Sequence, residues 1–288
     1  MKSQFSSLGA AATTGESRNA DVLPAGIIRA EHIALNVLDP AAAVKWYTEN
    51  LGMKVMRQGG PPTNTSFIAD SGQHMMLELG HNAEYPVIDF AEVNHMSIHL
   101  AFMVEDIATM KANLIAAGAA VVEDIRTTPS GDQVSMLRDP RGLPLQFVQR
   151  VKPMLKAAGV RLEHFAINAS DSRARAGWFV ANLEMKVMRE GGAPTLGTFV
   201  SDSTENMMFE LYQDGEYPVL DFTKISHMSI HFASMVPNVA RVKEQLLGAG
   251  ATLVEDIAKT PGGDEVLMMR DPSGLPIQFV KRVAPMLK

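Results

Sequence analysis

Displaced by 132 residues, this chain of 288 matches itself without a gap from residue 30 onward. EHIALNVLD at Glu31 returns as EHFAINASD at Glu163, and LGMKVMRQGG at Leu51 as LEMKVMREGG at Leu183. EYPVIDF at Glu84 returns as EYPVLDF at Glu216, and HMSIH at His95 returns unchanged at His227. RDPRGLPLQFVQRVKPMLK at Arg138 returns as RDPSGLPIQFVKRVAPMLK at Arg270. About 70 of the aligned positions are identical. Internal repetition of this kind limits the architecture more than any other signal, because each copy must fold alike. The chain therefore reads as a tandem duplication joined near Lys156–Val160, with domains at 29–152 and 161–284. Residues 1–28, rich in Ser, Ala, Thr and Gly and without periodicity, read as a flexible tail.

A fainter repeat lies inside each copy. His32–Asp39 and His99–Asp106 share His, Ala, Val and Asp in one register, so each copy is expected to hold two half-units and the chain four. Each half-unit opens with an alternating strand, as at His32–Val37. Asp39-Pro40 then supplies an N-cap and a first helical residue. Val44, Tyr47 and Leu51 recur at helical spacing until Gly52 stops the helix. Three short strands follow at Lys54–Arg57, Thr65–Ala69 and His74–Leu79. The second half-unit repeats this with a strand at His95–Met103, a helix at Asp106–Ala117 and strands at Ala120–Asp124, Gln133–Leu137 and Leu143–Val148. Helices on one sheet face with the other face free give an α+β fold.

Composition narrows the chemistry. With 26 basic against 32 acidic side chains and no Lys/Arg run, a nucleic-acid partner is not expected. No apolar stretch approaches the roughly 20 residues of a membrane helix. Phe5 to Ala12 is too short and too polar for the apolar centre of a secretory signal, so a cytoplasmic location is expected. The absence of Cys excludes disulfides, thiolate metal sites and Cys nucleophiles, so any metal must be held by nitrogen and oxygen.

Strand side chains alternate between faces. His32, Ala34 and Asn36 share the non-core face of the first strand, and Met76 and Glu78 that of the strand closing the first half-unit. His95, Ser97 and His99 share it on the strand opening the second, and Gln146 and Val148 on the last strand. The second copy keeps the same set at His164, Glu210, His231 and Gln278, with His227 matching His95. A lone His or Glu on an open sheet face is usually solvated; a set of four kept in both copies points to a site. Arg138 and Arg270, each before Asp-Pro, read as turn formers, and the EYPV segments as packed loops.

The half-unit, the His-opening strand, the GLPLQFV ending and the RDP-x-G-L turn resemble the vicinal oxygen chelate superfamily, which includes glyoxalase I, extradiol dioxygenases and bleomycin resistance proteins. The resemblance covers roughly residues 29–150 and 161–282. It implies four βαβββ modules, two tandem domains of the superfamily, forming cup-shaped incomplete barrels. It also implies a divalent metal (Zn, Ni, Co, Mn or Fe(II)) bound from the first and last strands of paired modules. Carried over by position, the ligands are His32, Glu78, His99, Gln146, His164, Glu210, His231 and Gln278. In glyoxalase I and the dioxygenases the closing strand of the second module usually carries Glu, where this chain has Gln146 and Gln278. Glutamine offers a carbonyl oxygen but cannot take a proton, which leaves Glu78 and Glu210 as the candidate bases.

Two pairings stay open: within a copy, giving His32, Glu78, His99 and Gln146, or across copies, giving His32, Glu78, His231 and Gln278 with the complementary set. The first expected function, implied by the resemblance, is a glyoxalase-like isomerase or lyase that acts on a small-molecule substrate bearing oxygen through a metal-stabilised enolate. An extradiol-type Fe(II) dioxygenase and a metal-free drug-binding resistance protein are the alternatives. The expected assembly is a monomer that acts as an internal pseudo-dimer, or a homodimer.

Overall fold

A computed structural model describes residues 28–156 and 159–287. Most of the expected tail, and part of the join between copies, lie outside the described residues. Four modules follow one another. The first comprises β1 (Arg29–Asn36), α1 (Pro40–Leu51), β2 (Lys54–Gln58), β3 (Ser66–Ala69) and β4 (Met76–Gly80). The second comprises β5 (Ile98–Met103), α2 (Ile107–Ala116), β6 (Ala120–Thr127), β7 (Gln133–Arg138) and β8 (Pro144–Gln149). The third comprises β9 (Arg161–Asn168), α3 (Ser172–Asn182), β10 (Lys186–Glu190), β11 (Thr198–Ser201) and β12 (Met208–Tyr212). The fourth comprises β13 (Ile230–Met235), α4 (Val239–Gly248), β14 (Thr252–Lys259), β15 (Glu265–Arg270) and β16 (Pro276–Lys281).

Each helix begins where the sequence supplies a cap. Asp39, Asp106, Asp171 and Asn238 accept from the backbone N–H of Ala42, Thr109, Ala174 and Arg241, and each such cap stabilises its helix by about 1 kcal/mol. Gly52 ends α1 in the left-handed region. The RDP turns behave as expected. Arg138 donates to the carbonyls of Phe90, Val93 and Gly142, while Asp139 accepts from the N–H of Arg141 and Leu143. Gly142 has φ +87, and a Cβ there would lie 2.7 Å from the Ala91 nitrogen, so the turn excludes every other residue.

The strands form two open eight-stranded sheets, ordered β14-β15-β16-β13-β1-β4-β3-β2 and β10-β11-β12-β9-β5-β8-β7-β6. Each sheet therefore joins a module of one copy to a module of the other. The outer cup takes the first and fourth modules through the antiparallel pair β1–β13; the inner cup takes the second and third through β5–β9. The open question of pairing is thus resolved as pairing across copies.

The helical side is organised differently. Trp46 of α1 donates to the Ala117 carbonyl behind α2, and Trp178 of α3 to that of Ala249 behind α4, so helices associate within a copy. This crossing of partners fuses the two copies into one main hydrophobic core. Two smaller apolar clusters sit apart from it: Phe67, Ala69, Met76 and Leu287 in the outer cup, and Leu155, Phe199 and Met208 in the inner. Among the described residues no helix is long and apolar enough to cross a membrane.

One expected element differs. His95 and His227 precede their strands, which begin at Ile98 and Ile230. Asn94 closes a turn over His95 by accepting from the N–H of Ser97 on its carbonyl and of Met96 on its side chain. An Asn that bonds its own following backbone competes with strand pairing, which simple alternation of His95, Ser97 and His99 does not register.

Candidate metal centres

In the outer cup His32 on β1, Glu78 on β4 and His231 on β13 offer one ligand atom each, all within 4.8 Å of one another. His99 on β5, His164 on β9 and Glu210 on β12 do the same in the inner cup. The register explains the convergence. Ala34 lies level with both Glu78 and His231 across the parallel and antiparallel ladders, two residues from His32 on the same face. Gln278 stands level with Ala233, two residues beyond His231, and Gln146 level with Ala101, two beyond His99. The within-copy grouping of His32 and Glu78 with His99 and Gln146 does not form.

The Nδ1 atoms of all four histidines are occupied. His99 donates through Nδ1 to the His95 carbonyl at 3.1 Å, and His231 to that of His227 at 2.9 Å. His32 and His164 use Nδ1 toward the carboxylates of Glu31 and Glu163, at 2.8 and 2.9 Å. That leaves every Nε2 turned inward, and none of the four makes an aligned hydrogen bond although all are buried. His32 Nε2 is 2.9 Å from Glu78 Oε2, and His164 Nε2 is 3.1 Å from Glu210 Oε2, close enough for attraction but outside hydrogen-bond geometry. Buried polar nitrogens seldom go unmet. Converging imidazole nitrogens beside a carboxylate fit a divalent cation, and two His with one carboxylate also suit Fe(II).

Charge differs within each cluster. Burial lowers the pKa of His231 and His99 to about 4, so both are neutral at pH 7, the form that ligates metal. Burial pushes His32 and His164 the same way, but two flanking carboxylates on each outweigh it and raise them. Burial would raise Glu78 and Glu210, yet the neighbouring histidines bring both below the ordinary carboxylate range. These two carboxylates, 23% and 22% exposed, are the most solvent-accessible members of the clusters.

Around the centres, His95 Nε2 lies 2.8 Å from Glu123, and His227 Nε2 2.9 Å from Glu255. The EYPV loops are packed and tie the copies together: Ser229 donates to the Pro86 carbonyl, Ser97 to that of Pro218, and Tyr85 meets the His227 ring edge-on. Glu31 and Glu163 were not among the expected site residues. Strict alternation puts each on the face opposite its His, and only the EH doublet kept in both copies signals them.

The first half of the chain, residues 29–147, matches the family model of the glyoxalase/bleomycin resistance protein/dioxygenase superfamily, and residues 164–280 match that of a glyoxalase-like domain. The chain belongs to this superfamily. Relatives include a putative lactoylglutathione lyase of Brassica oleracea var. gemmifera, 23% identical over 84% of this chain and 88% of its own length. Lactoylglutathione lyase GLX1 of Arabidopsis thaliana is 22% identical over the same shares. Glyoxalase I from Zea mays superposes with a TM-score of 0.72 at 19% identity, over 88% of this chain and 92% of that one. A putative dioxygenase from Bacillus subtilis gives 0.64 at 12% identity, over 91% and 88%. These superpositions establish the fold of the superfamily.

Proposed function

We propose that the protein is a metal-dependent, glyoxalase-like isomerase or lyase with two sites, each assembled from both copies. The observation that carries this reading is the convergence of unmet Nε2 atoms on a carboxylate, made twice. In the outer cup His32, Glu78, His231 and Gln278 would hold the metal; in the inner cup His164, Glu210, His99 and Gln146 would do so. A divalent ion held there would supply Lewis-acid chemistry, easing loss of a proton from a carbon beside a substrate oxygen.

The chain's own groups do the rest. Glu78 and Glu210 are ionised at neutral pH and partly accessible, so each can take a proton from a substrate carbon and return it to the neighbouring carbon. Gln278 and Gln146 can only accept hydrogen bonds or donate amide protons, so proton transfer falls to the glutamates. The Phe67/Met76 and Phe199/Met208 walls keep water from one side of each cup. The plant relatives named lactoylglutathione lyase favour a proton shift between adjacent oxygen-bearing carbons.

Elemental analysis of the protein as isolated, followed by titration of the stripped protein with Zn, Ni, Co and Mn, tests the reading. Two equivalents per chain are expected. Turnover of the methylglyoxal–glutathione adduct should fall about 10²- to 10⁴-fold in Glu78→Gln/Glu210→Gln, the cost of losing a positioned base. Absence of stoichiometric metal binding overturns the proposal. A second reading, an Fe(II) dioxygenase, rests on the two-His, one-carboxylate set. Anaerobic iron loading followed by O₂ uptake on a catechol panel separates the two.

A further inference from the structure

We infer that Glu31 and Glu163 are positioning residues that set the orientation and donor strength of His32 and His164, an inference that rests on the metal reading above. The argument begins with backbone register. Along β1, Ala30 pairs with Ser234 and His32 with Ala233, so Glu31 is an extra residue with no partner on β13. Along β9 the same happens: Leu162 pairs with Phe102, His164 with Ala101, and Glu163 is the extra residue. A bulge breaks alternation and re-aims a side chain. Here it lets adjacent residues bond each other, with the carboxylate meeting Nδ1 of its own neighbour.

A buried carboxylate is costly unless it is paired. Glu31 is 1% exposed and Glu163 is fully buried. Each is held by a two-pronged arginine from just after the closing strand of its cup. Arg282 Nε and Nη2 donate to the two oxygens of Glu31 at 2.7 and 2.6 Å; Arg150 does the same to Glu163 at 2.9 and 2.6 Å. The arginines are fixed in turn. Arg282 Nη1 donates to Asp264, which also accepts from the Val283 N–H, and Arg150 repeats this with Asp132 and Val151. The result is an Asp–Arg–Glu–His chain aimed at one ligand of each cluster. Burial opposes the charge on Glu31 and Glu163, but the arginine and histidine outweigh it: Glu163 is held down to about 2, and Glu31 lies well below the ordinary range.

A salt bridge that only fastened two strands would not need its carboxylate on Nδ1, nor a bulge to bring it there. The other histidine of each cluster receives a neutral carbonyl instead. The two ligands are thus given different partners. A carboxylate on Nδ1 makes the imidazole the stronger donor at Nε2, and losing such a partner weakens metal affinity about 10- to 100-fold.

The test is a two-site titration of the stripped full chain with Zn²⁺, together with the visible spectrum of the Co²⁺ form. Glu31→Gln keeps the shape and removes the charge. It should weaken one site about 10- to 100-fold and leave the other within twofold, with a changed Co²⁺ spectrum for half the metal. Glu163→Gln should do the same at the opposite site. A folded Glu31→Gln protein with both sites within twofold of wild type, or with both weakened equally, overturns the inference. Should that variant not fold, Arg282→Lys is titrated in its place; it keeps the carboxylate charged and undoes the clamp. Loss confined to one site supports the inference, and no loss overturns it. If the wild-type chain binds no Zn²⁺, the metal reading fails and takes this inference with it; if it binds two and the variants do not differ, only the inference fails.

Discussion

The two cups carry the same candidate ligands but different walls. In the outer cup Gly80 lies two residues beyond Glu78, and a Cβ there would sit 2.5 Å from the Thr65 hydroxyl, which fills the space. In the inner cup the equivalents are Tyr212 and Gly197: the large residue has moved to the other strand, and its neighbour has shrunk. The Tyr212 ring lies 6.4 Å from that of His99, and its hydroxyl donates to the Met96 carbonyl. The outer cup has no aromatic at that place. Duplication has therefore kept the groups that could do chemistry and let the shape around them diverge, a smaller residue on one strand matched by a larger one on its neighbour.

The same compensation appears on the helical side. The buried aspartate of the first RDP turn, Asp139, bonds Tyr47 and Arg141. In the second copy Phe179 and Ser273 replace those partners, and Arg175, standing where the first copy has Ala43, reaches Asp271 at 2.9 Å. One charge is satisfied by two different routes.

The largest expected effect breaks the assignment of the cups outright. His32→Ala/His231→Ala should leave one Zn²⁺ equivalent per chain, whereas His32→Ala/His99→Ala should leave none, because the second pair damages both centres. Pairing within copies would reverse the two counts, so metal stoichiometry decides.

Next come the two aspartate routes. Arg175→Ala removes the guanidinium that pairs with the buried Asp271 and should cost about 3–5 kcal/mol in denaturant unfolding. Arg141→Ala, at a residue 25% exposed whose aspartate still has Tyr47, should cost about 1 kcal/mol or less. Equal costs would mean that the routes are not alternatives.

Acid should weaken both cups alike. His99 and His231 have folded pKa values of about 4 against an ordinary 6.5, so the unfolded chain binds more protons between those values. Their contribution is fully present above pH 6.5 and is lost as pH falls toward 4. His32 and His164, raised rather than lowered, act with the opposite sign: their contribution is full below pH 6.5 and fades as pH climbs past their folded values. Denaturant midpoints of the metal-free protein between pH 6.5 and 4 should fall, and His99→Gln and His231→Gln should each remove part of the slope. The smallest effect concerns the walls. In a His231→Ala background, where only the inner centre is intact, Tyr212→Gly/Gly197→Thr should lower KM several-fold for bulkier substrates with kcat little changed.

Much of this was legible from residue types alone. Four modules follow from the 132-residue displacement and the fainter one within it. Helix starts follow from Asp39, Asp106 and Asp171, and the inward face of each strand from alternation. The pairing of modules was not legible, because His99 and His231 are the same residue in the same motif, and either would complete the set around His32. Nor were the bulges: Glu31 reaches His32 only because β1 carries one residue more than β13 at that point, a mismatch between two distant strands that neither strand records alone.

The strand order has one more consequence. The inner cup is built from a continuous run, β5 to β12, while the outer cup joins β1–β4 to β13–β16 from either side of it, so the two are nested like brackets. As the chain leaves the ribosome, every strand of the inner cup is available once β12 has emerged, whereas β1 must wait with its edge unpaired for β13. The first module is thus the part of the nascent protein with the longest exposure to wrong partners. One such wrong partner is β5, IHLAFM, which shares four of its six residues with the IHFASM of β13.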